Sequence, residues 1–204
     1  MANESPNPDT ITALQKKLTA DWHTSPCEVT SENNFLILVE ENHKRNFTLW
    51  HHEDDARRED KGFEFVYHAK RAIDQNNQQR NDFIEKMDKY LFAIFGEGFT
   101  DKTPMNSETA GSVVDRLSIM ALKEFHMQEE VDRTDASPEH IEKCTFKLGI
   151  IKQQITDLGN ALRQLLNDCE NGERGFRVYF QFKMYNDPEL NPALYNKKNP
   201  TAQD

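Results

Sequence analysis

Charged side chains interrupt the apolar stripes of the helices that this sequence predicts, and these are the residues that could do chemistry. On one predicted helix, Asp54 and Arg57 continue the face that contains Val39. On the next, Arg80 lies in the middle of the apolar face. Because a buried charge without a partner is costly, we expect Arg80 to face a carboxylate, either Asp54 or Asp115.

These residue types suit a phosphorylated ligand, because guanidinium groups pair with phosphate oxygens and carboxylates hold Mg²⁺ or act as general bases. The candidate ligand-binding residues are Trp50, Arg57, Asn77, Arg80 and Arg116. The candidate catalytic residues are Asp54, Asp115 and His126. The candidate ligands of a Mg²⁺ cofactor are Glu53, Asp54 and Asp115. Such a site fits either a binding module or a Mg²⁺-dependent enzyme, and the residues alone do not decide between the two.

The same polar residues also fit a structural interpretation. A network of Asp, Asn and Arg in a helical bundle often fixes the register of the helices and binds nothing. A single histidine on a core face, such as His43, is usually hydrogen-bonded within the core. His51 and His52 are adjacent, so on a helix their side chains point about 100° apart, which favours surface positions over a shared metal site.

The composition favours long helices as the elements that position these residues. The chain has 204 residues with only 8 Gly and 8 Pro, and its apolar positions recur at helical spacing. Few turn residues mean few turns, which argues against sandwiches and barrels. We therefore predict an all-α fold, an up-and-down bundle of four to five long helices with a short N-terminal helix and a polar C-terminal tail.

Capping signals and turn residues place the helix boundaries. Ser137 followed by Pro138 is a strong start signal, because serine caps a helix and proline suits the first helical position. The predicted helices are a short one that begins at Asp9 and four long ones over about residues 31–59, 63–95, 107–131 and 138–172. The segment 176–185 alternates like a strand, but since the chain offers no other strand to pair with it, we predict a helix.

These boundaries divide the chain into three parts. Residues 1–30 form an N-terminal tail and a short helix, residues 31–185 form a single helical-bundle domain, and residues 186–204 form an extended tail. A bundle this thin buries its long helices better against a second copy, so we expect a homo-oligomer.

Charge and hydropathy exclude several classes of protein. The chain has 25 Lys and Arg against 35 acids, and its formal net charge of -10 argues against general nucleic-acid binding, which needs clustered bases. The longest apolar run, residues 35–39, falls far short of the about 20 residues that a membrane span needs. The first residues lack the pattern of a secretory signal, and the three cysteines form no C-x-x-C pair, so we expect a cytoplasmic protein.

One spacing resembles the all-α nucleoside-triphosphate pyrophosphatases, which hold Mg²⁺ with acids from neighbouring helices. Here an acidic run at residues 53–55 precedes Glu85 and Asp88, whose i,i+3 spacing puts two carboxylates on one helix face. The first of these helices lacks the E-E-x-x-E spacing of that class. Nucleoside-triphosphate pyrophosphatase activity is therefore the weaker alternative function.

Five separate strings of the sequence, taken together, look like those of a known protein family. They lie at residues 49–57, 70–82, 107–119, 126–127 and 185–188. The chain resembles the bacterial family called domain of unknown function 4254, over about residues 30–195. The resemblance implies a helical fold. Genes of this family often sit beside glycosyltransferase genes for envelope polysaccharide or lipopolysaccharide, so it also implies an accessory role in envelope-glycan biosynthesis with a glycosyltransferase as partner.

The strings that resemble the family contain most of the polar residues singled out above, and the resemblance implies a site built from them. They are Trp50, Glu53, Asp54, Arg57, Arg80, Asn81, Asp82, Ser107, Glu108, Asp115, Arg116, Ser118 and His126. Asn81 and Asp82 lie off the apolar face, so we expect them at a helix–helix rim or a dimer contact.

Overall fold

The computed structural model describes residues 6–195, and helices account for most of them. The helices are α1 (Pro8–Trp22), α2 (Asn34–Asp55), α3 (Phe63–Phe95), α4 (Ala110–Val131), α5 (Pro138–Glu170) and the single turn α6 (Pro192–Tyr195). Short 3₁₀ turns occur at Glu59–Lys61, Gly96–Gly98 and Met184–Asn186. The described residues are 73% helical and contain no strand, so the predicted all-α bundle is confirmed. None of these helices combines the length and the apolar character that crossing a membrane requires.

Side-chain caps determine where the helices begin. The start predicted at Ser137 is confirmed, because its Oγ accepts a hydrogen bond from the His140 amide at 3.2 Å. α1 begins before the predicted Asp9, because the Asn7 side chain caps the helix and Pro8 occupies the first helical position.

α2 and α4 are shorter than predicted. α2 begins after Asn33, whose side chain accepts hydrogen bonds from two amides of the first turn, and it ends at Asp55. The 3₁₀ turn and Gly62 then lead into α3, and Gly62 has a φ of 87°, a conformation that favours glycine. α4 begins after Thr109, whose hydroxyl accepts a hydrogen bond from an amide of the first turn.

α4 lies at the centre of the bundle. It packs against α1, α2, α3 and α5, while α2 with α3 and α4 with α5 form two helical hairpins. This position explains why α4 carries apolar residues on more than one face. The main core includes Ile11, Val39, Met87, Leu91, Val114, Leu117, Ile155, Leu162 and Leu166.

The helix predicted over residues 176–185 is wrong. Gly175 exchanges two backbone hydrogen bonds, of 2.7 and 2.9 Å, with the loop that precedes α4. Phe176 is then fully buried, with its ring centroid 6.0 Å from that of Phe99. These contacts, together with a hydrogen bond from the Gln181 amide to Glu85 on α3, hold the segment in an extended form along the bundle, so it does not form a helix.

Residues 1–5 and 196–204 lie outside the described part of the chain, and with them the start of the predicted N-terminal tail and much of the predicted C-terminal tail. Residues 186–195 include the end of a 3₁₀ turn and α6. The predicted division into three parts stays a prediction.

Candidate functional site

A chain of hydrogen bonds between buried polar side chains joins α1, α2 and α4. Asn46 Nδ2 donates to Ser118 Oγ at 2.9 Å, and that oxygen lies 2.8 Å from His43 Nδ1. On the other side of the ring, His43 Nε2 lies 3.0 Å from Thr19 Oγ1, which donates to the Gln15 carbonyl oxygen. Because Thr19 uses its proton on Gln15, the His43 ring must carry its own proton on Nε2. Its Nδ1 then accepts from the serine hydroxyl.

His43 is therefore a neutral, fully hydrogen-bonded core histidine, as predicted. Burial lowers its pKa to about 3, so the ring stays uncharged at neutral pH. Gln15 extends the network, because its Nε2 donates to the Val114 carbonyl oxygen at 3.1 Å. This part of the polar face matches the structural interpretation, since it fixes three helices relative to one another.

Asp115 binds two buried amides and faces Arg80. Its Oδ1 accepts from Asn42 Nδ2 and from Asn46 Nδ2, each at 2.9 Å. Arg80 Nε lies 3.8 Å from the same oxygen, so of the two carboxylates expected to face Arg80, Asp115 does. The Nε atom is buried and has no hydrogen-bond partner among the described residues. An unpaired buried N–H is costly, and a bound ligand could satisfy it.

Beside Arg80, a cleft of about 330 Å³ opens between α2, α3 and α4. It is lined by Asn46, Leu49, Trp50, Glu53, Asp54, Arg57, Arg80, Ile119 and Leu122. The last turns of α2 and the residues just after it supply the aromatic group and three of the charged groups, α3 supplies Arg80, and α4 supplies an apolar wall. The structure thus brings together the predicted site residues Trp50, Glu53, Asp54, Arg57 and Arg80.

Arg57 and Asp54 lie at the mouth of this cleft. The Arg57 side chain is 69% exposed, and its Nη1 lies 2.9 Å from Glu53 Oε2. Lys70 Nζ lies 3.8 Å from the same oxygen. The helical periodicity had placed Asp54 and Arg57 on the core face, and this is wrong. α2 ends at Asp55, so Arg57 lies beyond the helix and Asp54 in its exposed last turn.

A cluster of imidazole rings lies next to Trp50. The Trp50 indole stacks on His126, with ring centroids 4.6 Å apart and planes within 9°. His126 Nδ1 lies 2.7 Å from Glu129 Oε2, and its Nε2 is buried without a hydrogen-bond partner in the part of the chain that the structure describes. His23 repeats this pattern: its Nδ1 lies 2.6 Å from the Thr19 carbonyl oxygen, and its Nε2 is likewise buried and unpartnered within residues 6–195.

His51 completes the imidazole cluster. Its ring centroid lies 5.4 Å from that of His23 and 6.1 Å from that of His126. Burial lowers the pKa of His51, and the proximity of these two imidazoles lowers it further. The predicted surface position is therefore wrong for His51, which is half-buried between other rings.

Two predicted ligand-binding residues lie away from the cleft. Arg116 is exposed, pairs with Glu108 at 2.6 Å and lines a separate cavity of about 630 Å³ between α4 and α5. Ile119 lines both cavities, so α4 separates them. Asn77 is half-buried on α3 and does not line the cleft. Of the three arginines predicted to bind phosphate, Arg57 and Arg80 share one cleft and Arg116 does not.

The predicted Mg²⁺ ligands do not converge on one point. Among the described residues, Glu53, Asp54 and Asp115 do not bring three carboxylate oxygens within 4.8 Å of one another. Asp115 uses Oδ1 for two amides, whereas Glu53 and Asp54 line the cleft. Because Mg²⁺ is commonly bound by one or two carboxylates together with water and phosphate oxygens, these two acids could hold it alongside a phosphorylated ligand.

Glu85 and Asp88, the pair that resembles the pyrophosphatase pattern, serve other contacts. Asp88 is buried, and its Oδ1 accepts a hydrogen bond from the Gly111 amide at 2.7 Å. Burial raises the pKa of this carboxyl to about 6. Glu85 Oε1 accepts a hydrogen bond from the Gln181 amide at 2.9 Å. Neither residue lines the cleft.

Several residues of the polar network were not predicted from the sequence. They are Gln15, Thr19, Asn42 and Asn46. A signal did exist, because Asn42 and Asn46 are four residues apart and follow Val39 on the same helical face. Uncharged amide side chains at i and i+4 on an apolar face therefore indicate a buried polar network, just as charged side chains there do.

The family model described as protein of unknown function DUF4254 matches residues 37–178. This range contains every residue that lines the cleft, together with Asp115 and His126. No curated protein and no solved structure matches the chain. Since the family model covers well over half of the sequence and agrees with the resemblance noted above, the chain belongs to the DUF4254 family.

Proposed function

We propose that this protein binds a phosphorylated small molecule in the cleft between α2, α3 and α4. The observation that carries the proposal is the buried Nε atom of Arg80. Its N–H has no hydrogen-bond acceptor among the described residues. Asp115 lies 3.8 Å away, beyond hydrogen-bond distance, so it balances the charge without satisfying the donor. A phosphate oxygen in the cleft would accept from this N–H in a charge-assisted bond.

Arg57 would supply a second cation for the same phosphate. Its carboxylate partner is Glu53, in an exposed i,i+4 pair. Such pairs contribute only about 0.5 kcal/mol to the free energy of unfolding, so Arg57 can leave Glu53 and pair with a phosphate at small cost.

The acids of the cleft favour a ligand that arrives with Mg²⁺. Glu53 and Asp54 offset the charges of the two arginines, so a bare diphosphate would gain little net attraction. Mg²⁺ bound to the phosphates would remove the repulsion between the phosphates and the two carboxylates. It would also take carboxylate oxygens into its own coordination shell. Mg²⁺ is therefore the cofactor that we propose.

Trp50 and the size of the cleft narrow the class of ligand. The indole is stacked on His126 and lines the cleft, so it offers a flat, rigid surface to a sugar ring or a base. The volume of about 330 Å³ lies at the lower end of the range for ligand sites. A nucleotide-sugar offers phosphates and rings in one molecule, and we take it as the ligand class.

A nucleotide-sugar ligand agrees with an accessory role in envelope-glycan or lipopolysaccharide biosynthesis. The protein would act in the cytoplasm beside a glycosyltransferase, as a homo-oligomer with one cleft per subunit. Co-purification of a glycosyltransferase with the tagged protein from its own cells supports this role, and its repeated absence argues against it.

Ligand binding is tested by calorimetry and thermal shift with nucleotide-sugars, nucleotides and sugar phosphates, each with and without Mg²⁺. A ligand at 100 times its dissociation constant adds about 2.7 kcal/mol to the free energy of unfolding, which a melting curve resolves. Arg80→Gln should weaken binding at least about tenfold, a loss of about 1.4 kcal/mol. Arg116→Gln is the matched control, because Arg116 lies on the other side of α4.

Two outcomes would contradict the proposal. One is that no phosphorylated compound shifts the melting temperature. The other is that Arg116→Gln weakens binding as much as Arg80→Gln does. Circular dichroism of both variants establishes that the comparison is made between folded proteins.

An enzymatic function is the second candidate, and His126 favours it. Its Nδ1 is held by Glu129 and its Nε2 is unpartnered among the described residues, which is the arrangement of an oriented general base. Incubation with the ligand and Mg²⁺ should then release product, and His126→Gln should abolish release while binding persists. Pyrophosphate release from nucleoside triphosphates in the same assay tests the weaker alternative of a pyrophosphatase.

A further inference from the structure

The end of α4 and the start of α5 bring together a carboxylate, an imidazole and a thiol. His140 Nε2 lies 2.8 Å from Glu130 Oε2 and 3.4 Å from Cys144 Sγ. The three donor atoms all lie within 4.8 Å of one another. His140 and Cys144 are four residues apart on α5, so they share a helix face, and Glu130 approaches from α4.

These donors are those that zinc prefers. Zinc binds thiolate sulfur at about 2.3 Å and imidazole nitrogen or carboxylate oxygen at about 2.0–2.2 Å, in tetrahedral geometry. In a tetrahedron with these bond lengths, nitrogen and oxygen lie about 3.3 Å apart, and nitrogen and sulfur about 3.6 Å apart. The distances from His140 Nε2 are 2.8 and 3.4 Å, so Glu130 and Cys144 each need to move away from this nitrogen by only a few tenths of an ångström.

The burial of the three groups suits a site that is closed on one side. Cys144 is 5% exposed, whereas the side chains of His140 and Glu130 are 41% and 40% exposed. A metal ion could therefore enter from solvent and contact the sheltered sulfur. The fourth position of the tetrahedron would face water.

We propose that Glu130, His140 and Cys144 form a zinc-binding site at the joint between α4 and α5. The cleft at the end of α2 has no residue in common with it, so the proposal stands apart from the ligand proposed above. Bound zinc would clamp the α4–α5 hairpin across the turn at residues 132–137. A thiolate and a carboxylate would together balance the double charge of the ion.

Arg133 is the group that opposes metal binding. Its Nη1 donates to Glu130 Oε2 at 3.0 Å, which places a positive charge beside one of the three ligands. The same guanidinium donates to both carboxylate oxygens of Asp135, at 3.1 and 3.2 Å. Arg133 can therefore release Glu130 to a metal ion and keep a counter-charge.

The test is a titration of the full chain, stripped of metal with a chelator, with Zn²⁺ by calorimetry and with Co²⁺ by absorption spectroscopy. We expect one metal ion per chain and a thiolate-to-cobalt charge-transfer band. Cys144→Ser should abolish this band, whereas Cys169→Ser, which changes a buried cysteine far along α5, should retain it. His140→Gln changes a half-buried position and should weaken Zn²⁺ binding at least about tenfold without disturbing the core.

The effect of Arg133→Gln distinguishes a metal-binding site from a purely structural contact among the same three side chains. Removing the competing cation should tighten Zn²⁺ binding by about threefold to tenfold, because the ion no longer meets a like charge. The proposal is overturned if no stoichiometric binding occurs, if Cys144→Ser and Cys169→Ser give the same spectrum, or if Arg133→Gln weakens binding.

Discussion

Asp88 Oδ1 accepts a hydrogen bond from the Gly111 amide at 2.7 Å, and this bond fastens α3 to the first turn of α4. The amides of a first helical turn have no acceptor within their own helix, so α3 supplies one from outside. The two helices approach closely here: a Cβ atom on Gly111 would lie 2.6 Å from Asp88 Oδ1 and 2.8 Å from the Ile84 carbonyl oxygen. Only glycine fits between them.

Gly111→Ala should therefore destabilise the protein by about 1–3 kcal/mol, because the added methyl group pushes the two helices apart. Gly149→Ala is the matched control, since Gly149 lies within α5 and a Cβ there would meet no atom within 4 Å. That change should stabilise the protein by about 0.5–1 kcal/mol through helix propensity. Urea denaturation measures both changes, and equal effects would show that the close approach does not matter.

The pKa of Asp88 predicts a dependence of stability on pH. Burial raises this pKa from 3.8 to about 6, so the folded state holds the proton more tightly than the unfolded chain does. The stability contributed by Asp88 is therefore present at pH 4 and is lost as the pH rises through 6. Asp88→Asn keeps an acceptor without the charge, and at pH 7.5 it should be more stable than wild type by about 1–3 kcal/mol.

The same comparison at pH 4 provides the control for Asp88. There the wild-type carboxyl is protonated in the folded state and about 40% protonated in the unfolded chain, so most of the penalty on the folded state is gone and the two proteins should differ much less. A difference that is equal at the two pH values would contradict the assigned pKa direction.

His43 should make stability depend on pH in the opposite direction to Asp88. Burial lowers its pKa from 6.5 to about 3, so between these values the unfolded chain takes up a proton that the folded state does not. The contribution of His43 to the free energy of unfolding is fully present above pH 6.5 and should fall by about 1.4 kcal/mol per pH unit as the pH decreases towards 3. Because protonation of Asp88 stabilises the protein as the pH falls from about 6 to 4 and so offsets this loss, the slope is best measured in the Asp88→Asn background.

His43→Gln in that background should be less stable at pH 7, because the hydrogen bonds to Thr19 and Ser118 are disturbed. Its stability should also decline less steeply below pH 6.5. An unchanged slope would mean that His43 is not the group that titrates.

The elements of the fold were largely predictable because they depend on local signals. The bounds of α3 and the start of α5 at Ser137 follow from a glycine, a capping residue and a continuous apolar stripe. The segment 176–185 was mispredicted because a contact that is remote in sequence determines it. Phe176 packs against Phe99, and no periodicity within the segment reveals that contact.

The site was predictable only to the level of helical faces. Helical spacing shows which residues share a face, and the residue types on those faces made Trp50 and Arg80 candidates for one ligand site, where both line the cleft. It does not show which neighbouring helix covers a given face. Arg116 was predicted to bind phosphate together with Arg57 and Arg80, yet it lies across α4 from the cleft.

Asp115 and Asp54 should separate the structural part of the polar cluster from the part that binds a ligand. Asp115→Ala removes the acceptor of two buried amides and the counter-charge of Arg80, so it should cost about 3–5 kcal/mol. Asp54→Ala changes an exposed residue at the mouth of the cleft and should alter stability by no more than about 0.5 kcal/mol. Denaturation in urea gives both values, and calorimetry with the nucleotide-sugar and Mg²⁺ then shows whether the stable Asp54→Ala protein has lost binding. If Asp115→Ala proves as harmless as Asp54→Ala, the hydrogen bonds to Asn42 and Asn46 do not hold α2 to α4.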